Sequence, residues 1–212
     1  ESSDAWSVSK LFEAGVTRPI SGAGTIAKHP QTQKRWIFFG TGRYLSSGDV
    51  TNTATQGMYG FIEDSKTLKP SDLTLRTLAV TTGTSSGYPV RAFESSKPLS
   101  SASKGWYINL PDSGERIVQD AQVVSSFLIT ASMIPTGDAC ESDGRGYINA
   151  LGAFTGTSAG ASYFDLDGDG ATIDETIGGQ PIGSVNVGVG MPTLPNLLRG
   201  MVVVGGSAGS DL

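Results

Sequence analysis

The sequence predicts an all-β protein, a β-propeller or part of one, on three observations. First, glycine and proline supply 29 and 10 of the 212 residues, about 18% against a usual value of roughly 12%. Each glycine inside a helix costs about 1 kcal/mol, whereas tight turns between short strands use both residue types. Second, the apolar blocks are short and rich in Val, Ile, Phe, Tyr and Trp, which suit a half-buried pleated surface. Third, an aromatic strand, a Gly-rich turn and another strand recur through SVSKLFEAG, KRWIFFGTGRYL, GMYGFIED, GWYINLPDSGERIV, SSFLITASMIP, GRGYINAL and GMVVVGGSAG, which suggests repeated antiparallel four-stranded blades with long loops.

In chain order, the predicted strands are Arg35 to Phe39, Met58 to Ile62, Leu73 to Val80, Gly105 to Leu110, Glu115 to Val118, Ser126 to Met133, Gly146 to Leu151 and Met201 to Val204. The segments SSGD, TTGTSSG, PDSGE, TGTSAGAS and GGQPIG between them read as turns and loops. The one helix-like stretch, Ser7 to Ala14, is too short to stand as a helix. At about 40–45 residues per blade the chain holds at most about five blades, and long loops at Thr81 to Pro98 and Thr155 to Pro195 lower that to about three or four. A closed propeller takes roughly 4–8. The alternative all-β arrangement is a β-sandwich with long loops. Residues 1–212 are read as a single all-β region.

Composition narrows the partners. The chain carries 15 basic and 20 acidic residues, a net charge of −5. Without a basic stripe it is a poor candidate for a phosphate backbone, so no nucleic acid is expected. A single cysteine, Cys140, excludes an intrachain disulfide. No apolar run approaches the roughly 20 residues of a membrane span, so no integral membrane segment is expected. The polar opening Glu1-Ser2-Ser3-Asp4 shows no signal peptide and reads as the edge of a processed or excised fragment.

The most informative segment is the acidic loop, residues 164–176, inserted between strands. Asp165, Asp167 and Asp169 fall at positions 1, 3 and 5 and Gly170 at position 6, the opening of an EF-hand-type Ca²⁺ loop. Ca²⁺ takes about 6–8 oxygens, and alternate residues of a tight loop converge on one point. Gly170 permits the turn that makes the Ala171 carbonyl a ligand. The second half departs from the pattern: Ile173 stands at position 9 and Thr176 at position 12, where a bidentate Glu belongs. Asp174 or Glu175, each one residue off, is the candidate to complete the shell. The alternative is an acidic, solvated turn.

The remaining candidates favour structural readings. His29, the only histidine, sits in a polar turn-like context. Cys140 lies between Asp138 and Glu141, whose charges would raise a thiol pKa. Gly40-Thr41-Gly42-Arg43 lacks the lysine and following helix of a phosphate loop and reads as a strand-ending turn. Trp36, Trp106, Tyr59 and Tyr107 read as packing between blades rather than a sugar platform.

Several segments together resemble the C-terminal propeller region of the PilY-type type IV pilus biogenesis and tip adhesin family. They are Phe38 to Leu45 (FFGTGRYL), Thr55 to Phe61 with Glu63-Asp64 after it, Lys104 to Pro111, Gly114 to Val118, Ile134 to Cys140, Gly144 to Leu151, and the acidic loop Phe164 to Gly170. Order and spacing match from Leu11 to Gly209, and FGTGRYL with the TQ-x-x-YG block is the most specific part. The resemblance implies a modified seven-bladed propeller, of which this chain is the C-terminal part. It also implies a non-enzymatic, calcium-binding component, secreted through the periplasm and carried at the pilus tip with minor pilins. Such a component supports pilus extension, twitching motility and attachment to a host or abiotic surface ligand. Asp165, Asp167, Asp169 and Asp174 are the nearest match to the family's regulatory calcium loop; a separate structural calcium loop is the other assignment. The Arg-Gly-Asp motif of some members is absent, only Asp143-Gly144-Arg145-Gly146 occurring, so integrin binding is not carried over. A secreted carbohydrate-active or hydrolytic propeller with a structural calcium is the alternative function. It would need a cleft with two carboxylates about 5–10 Å apart.

Overall fold

The computed structural model describes residues 8–136, 144–198 and 201–208. The strands are β1 (Thr25–Lys28), β2 (Arg35–Gly40), β3 (Gly57–Ile62), β4 (Thr74–Arg76), β5 (Leu78–Ser85), β6 (Tyr88–Phe93), β7 (Gly105–Asn109), β8 (Gln122–Val124), β9 (Phe127–Ile134), β10 (Arg145–Gly152), β11 (Thr176–Ile177), β12 (Gln180–Val185), β13 (Asn196–Leu198) and β14 (Met201–Val203). Among the described residues the helical structure is one α-turn, α1 (Ser47–Val50), and one 3₁₀ turn (Pro70–Asp72).

The first sheet has the order β1-β2-β3-β7-β4, with β4 pairing parallel to β7. The second runs β5-β6-β12-β10-β9-β8, with β11 added beside β12. β13 and β14 form a separate hairpin. Strict alternation along β2, β3 and β7 sends Trp36, Phe38, Met58, Trp106 and Ile108 to one face, where they join Phe93, Leu128 and Leu151 of the second sheet. Phe39, Tyr59 and Phe61 go to the opposite face, under Phe12, Leu68 and Leu73. On the outer face of the second sheet, Val90, Ile129, Ile148, Ile182 and Val185 pack against Phe164. Both sheets are thus apolar on both faces, with one shared core between them.

The space between the sheets is not apolar throughout. Arg91, 1% exposed, donates to both oxygens of Glu115, at 2.9 and 3.1 Å, and pairs with Asp112 at 3.1 Å. Ser132 donates to Glu115 at 2.6 Å, Arg145 pairs with Asp112 at 2.9 Å, and the Arg91 guanidinium lies 3.5 Å from the centre of the Tyr147 ring. Asn149 and Ser184 extend this buried polar row across β10 and β12.

Several sequence expectations need correction. Among the described residues a five-stranded sheet with one parallel pair, a seven-stranded sheet and a hairpin stand in place of three or four antiparallel four-stranded blades, and the sheets do not close. Leu73 to Val80 divides at Thr77 into β4 and β5, because the chain there leaves the first sheet for the second. Glu115 to Val118 makes only an isolated bridge, Arg116 to Met133; Glu115 and Arg116 are committed to side-chain bonding instead. The expected loop Thr81 to Pro98 contains the β5–β6 hairpin, turning at Ser86-Gly87, where φ is 48° and 83°. The expected loop Thr155 to Pro195 contains β11 and β12. Ser7 to Ala14, too short to stand as a helix, is indeed non-helical where described, and Phe12 bridges to Leu68. The four singled-out aromatics pack in the cores, Tyr59 stacking on Tyr107 and on Phe39.

The segment after β2 is tied down by one buried charge, Asp49. Asp49 accepts from the amides of Leu45 (3.0 Å) and Ser46 (2.9 Å) and from Ser46 Oγ (2.9 Å), and pairs with Arg43 Nε at 2.8 Å. The Leu45 amide, then Arg43, hold its carboxyl far below the usual carboxylate range. A depressed folded-state pKa contributes stability that is complete above the unfolded value and is lost as pH falls below it. The stability difference between the parent and Asp49→Asn is therefore expected to shrink as pH is lowered from about 5 to about 2, measured by urea unfolding across that range. A difference that stays constant would refute this assignment.

Candidate metal centre

The acidic loop lies between β10 and β11, on the outer face of the second sheet. Phe164 and Leu166 anchor it in the apolar layer there. Ser162 Oγ donates to the Ile182 carbonyl at 2.8 Å and accepts from the Phe164 amide at 3.0 Å, fixing where the loop departs.

Between these anchors the loop folds on its own carboxylates. Asp165 accepts from the amides of Gly168 (2.8 Å) and Gly170 (3.1 Å), Asp167 from Asp169 (3.1 Å), and Asp169 from Ala171 (2.7 Å). Gly168 and Gly170 have φ of 80° and 90° with open space where a Cβ would stand, so conformation rather than crowding requires glycine. One carboxylate oxygen from each of Asp165, Asp167 and Asp169 lies within 4.8 Å of the others, and all three residues are exposed. The convergence expected from the 1-3-5 spacing is present.

The expected closing ligands behave differently. Glu175 is buried, and its Oε1 accepts from the amides of Leu166 (2.5 Å) and Asp167 (3.1 Å). It braces the loop from behind rather than joining the cluster. Asp174 is exposed and outside the cluster. The Ala171 amide is engaged with Asp169. The sequence gives no sign of Glu175's bracing role, since it depends on the chain folding back over nine residues.

The donors brought together are carboxylate oxygens only. Hard oxygen donors fit Ca²⁺ or Mg²⁺, whereas Zn²⁺ and Cu²⁺ sites recruit nitrogen or sulfur. The three clustered aspartates repel one another until a cation is present. Beside the loop a cavity of about 850 Å³ is lined by Tyr88, Ile148, Tyr163, Phe164 and Val204 as well as Asp165. Cys140, with Asp138 and Glu141, lies outside the described residues, as does Asp143.

No protein-family model matches the chain. Among curated proteins it is 36% identical over 204 residues to the type IV pilus biogenesis factor PilY1 homolog of Xylella fastidiosa, covering 92% of this chain and 16% of that protein. It is 25% identical over 184 residues to PilY1 of Pseudomonas aeruginosa PAO1, covering 74% of this chain and again 16% of the relative. The chain thus spans about a sixth of the length of these relatives. Among solved structures, the crystal structure of the P. aeruginosa PilY1 C-terminal domain superposes with a TM-score of 0.69 at 20% identity, over 90% of this chain and 44% of that one. The fold with almost no helix is therefore that of the PilY1 C-terminal domain. Sequence and fold converge: the chain belongs to the family of PilY1 type IV pilus biogenesis factors.

Proposed function

We propose that this chain is a calcium-stabilised, non-enzymatic part of a type IV pilus tip component, secreted through the periplasm. In this role it supports pilus extension, twitching motility and surface attachment, with minor pilins and a surface ligand as partners. The observation that carries the reading is the convergence of Asp165, Asp167 and Asp169 in a loop anchored on a PilY1-type sheet. Asp165, Asp167 and Asp169 supply carboxylate oxygens to Ca²⁺, and the Ala171 carbonyl is the fourth protein ligand. Glu175 shapes the loop, and the exposed Asp174 is the carboxylate left to close the shell. The two sheets are successive blades of a larger, seven-bladed propeller. Burial of both faces of each sheet supports this, as a blade is covered by a neighbour on either side.

Calorimetric titration of chelator-stripped protein is expected to give saturable Ca²⁺ binding near one equivalent, with Mg²⁺ weaker, and Asp169→Ala is expected to abolish it. Saturating Ca²⁺ at about 100 times Kd should add about 2.7 kcal/mol to the unfolding free energy by mass action. No binding up to millimolar Ca²⁺ would leave the loop a solvated acidic turn. For the pilus role, the same substitution placed in the full-length protein should reduce twitching motility in the complemented mutant strain. Unchanged motility would separate the metal from that function.

A further inference from the structure

The most specific run of the sequence, FGTGRYL with Thr55-Gln56-Gly57, belongs to the first sheet and is not explained by the acidic loop. It borders a cleft of about 240 Å³ lined by Val16, Thr17, Arg43, Asn52, Gln56 and Arg116, among others. Two guanidinium groups and no carboxylate line this cleft, in a chain of net charge −5.

Arg116 is 3% exposed and forms no ion pair among the described residues. It bonds four backbone carbonyls instead: Gly114 (2.9 Å), Arg43 (3.0 Å), Asn52 (2.7 Å) and Asp49. These consume four of its five N–H donors and leave one on Nη2. Carbonyl dipoles carry no net charge, and desolvation pushes the guanidinium pKa down. Arg43 is about half exposed, and only its Nε is committed, to Asp49. Gln56 is 5% exposed. Its Nε2 donates to the carbonyls of Thr17 (2.9 Å) and Ala54 (3.1 Å), which fixes the orientation of the amide, while its Oε1 is buried without a hydrogen-bond partner. An unpaired buried acceptor is costly, and a donor from a bound molecule would relieve it.

The cleft thus combines two cationic groups, which favour an oxyanion, with one acceptor that requires a donor. We propose that it binds a small hydroxycarboxylate. The carboxylate is held by Arg43 and the remaining Nη2–H of Arg116, and the hydroxyl donates to Gln56 Oε1. Water alone would satisfy Gln56 but leave the two guanidinium groups with a single carboxylate, Asp49, which pairs only with Arg43. This site is independent of calcium and lies on the other sheet from the acidic loop.

The test is an NMR titration of the ¹⁵N-labelled 212-residue chain, following the Gln56 side-chain amide and the arginine Nε–H signals at constant ionic strength. Glycolate is the probe. Acetate lacks its hydroxyl, and methyl glycolate lacks its charge. Glycolate is expected to saturate with a midpoint at least about tenfold below those of the other two. Arg43→Met should remove glycolate binding, and Gln56→Leu should reduce it to the acetate level. Should Gln56→Leu fail to fold, the three-probe comparison and Arg43→Met still decide. The proposal is overturned by no saturable shift up to about 100 mM glycolate, by equal midpoints for the three probes, or by binding that survives Arg43→Met.

Discussion

Trp106→Ala is expected to lower the unfolding free energy by about 3–5 kcal/mol, as measured by urea denaturation. The indole is completely buried in the core shared by the two sheets. Its Nε1 donates to the Ala153 carbonyl, beyond β10 of the second sheet, at 2.7 Å. Two glycines make room for the ring: a Cβ on Gly60 would come within 2.7 Å of it and one on Gly156 within 2.4 Å. With both facing positions already reduced to hydrogen, neither of these residues can fill the space an alanine leaves, which favours the upper part of the range. Trp106→Phe should cost less, since it fills part of the volume and forfeits mainly the bond to Ala153, about 1–3 kcal/mol for the acceptor left unpaired. A loss below about 1 kcal/mol for the alanine variant would mean that the sheets are held together elsewhere.

The second large effect is expected at the buried ion pair. Glu115→Ala should cost about 3–5 kcal/mol, because it strands Arg91 in the interior. Asp112 would remain as its carboxylate partner, but Arg91 Nε and Nη2 already lack hydrogen-bond partners among the described residues. Replacing both members, Arg91→Met with Glu115→Leu, should be far milder, since the desolvation of two charges disappears with their attraction. Asp112 would keep Arg145. If the double variant is as unstable as the single one, then Ser132 and Asn149, rather than the charge pair, dominate this part of the interior.

The sequence made some of this legible and concealed the rest for identifiable reasons. β2, β3 and β7 could be read because aromatic and aliphatic residues alternate between two apolar layers without interruption. β6 and β12 could not: Pro89, Pro181 and Gly183 mimic loop composition, and the pairing between these strands is irregular between Ile182 and Ser184. A Cβ at Gly183 would lie 2.4 Å from the Phe93 ring, so that glycine is a packing requirement and not a turn signal. Glu115 to Val118 ends in the β-branched pair Ile117-Val118 that suits a strand, but Ile117 is drawn into the core while Glu115 and Arg116 serve as hubs for distant backbone and side chains. At the acidic loop, the spacing of three aspartates disclosed their convergence. The bracing by Glu175 lay hidden, because it depends on two amides presented only after the turn has formed.

The order in which the chain visits the two sheets has a kinetic consequence. β1 to β4 lie in the first sheet, β5 and β6 in the second, β7 returns to insert between β3 and β4, and β8 goes back to the second. β4 has no partner until β7 arrives, about 30 residues later along the chain, after an entire hairpin of the other sheet has been laid down. Such non-local pairing makes loop closure precede its reward and slows folding. Neither sheet can be finished as an independent early unit, so the interlocked pair should gain amide protection in a single step, and a chain emerging from the ribosome must carry unpaired β4 until residue 109 has been made.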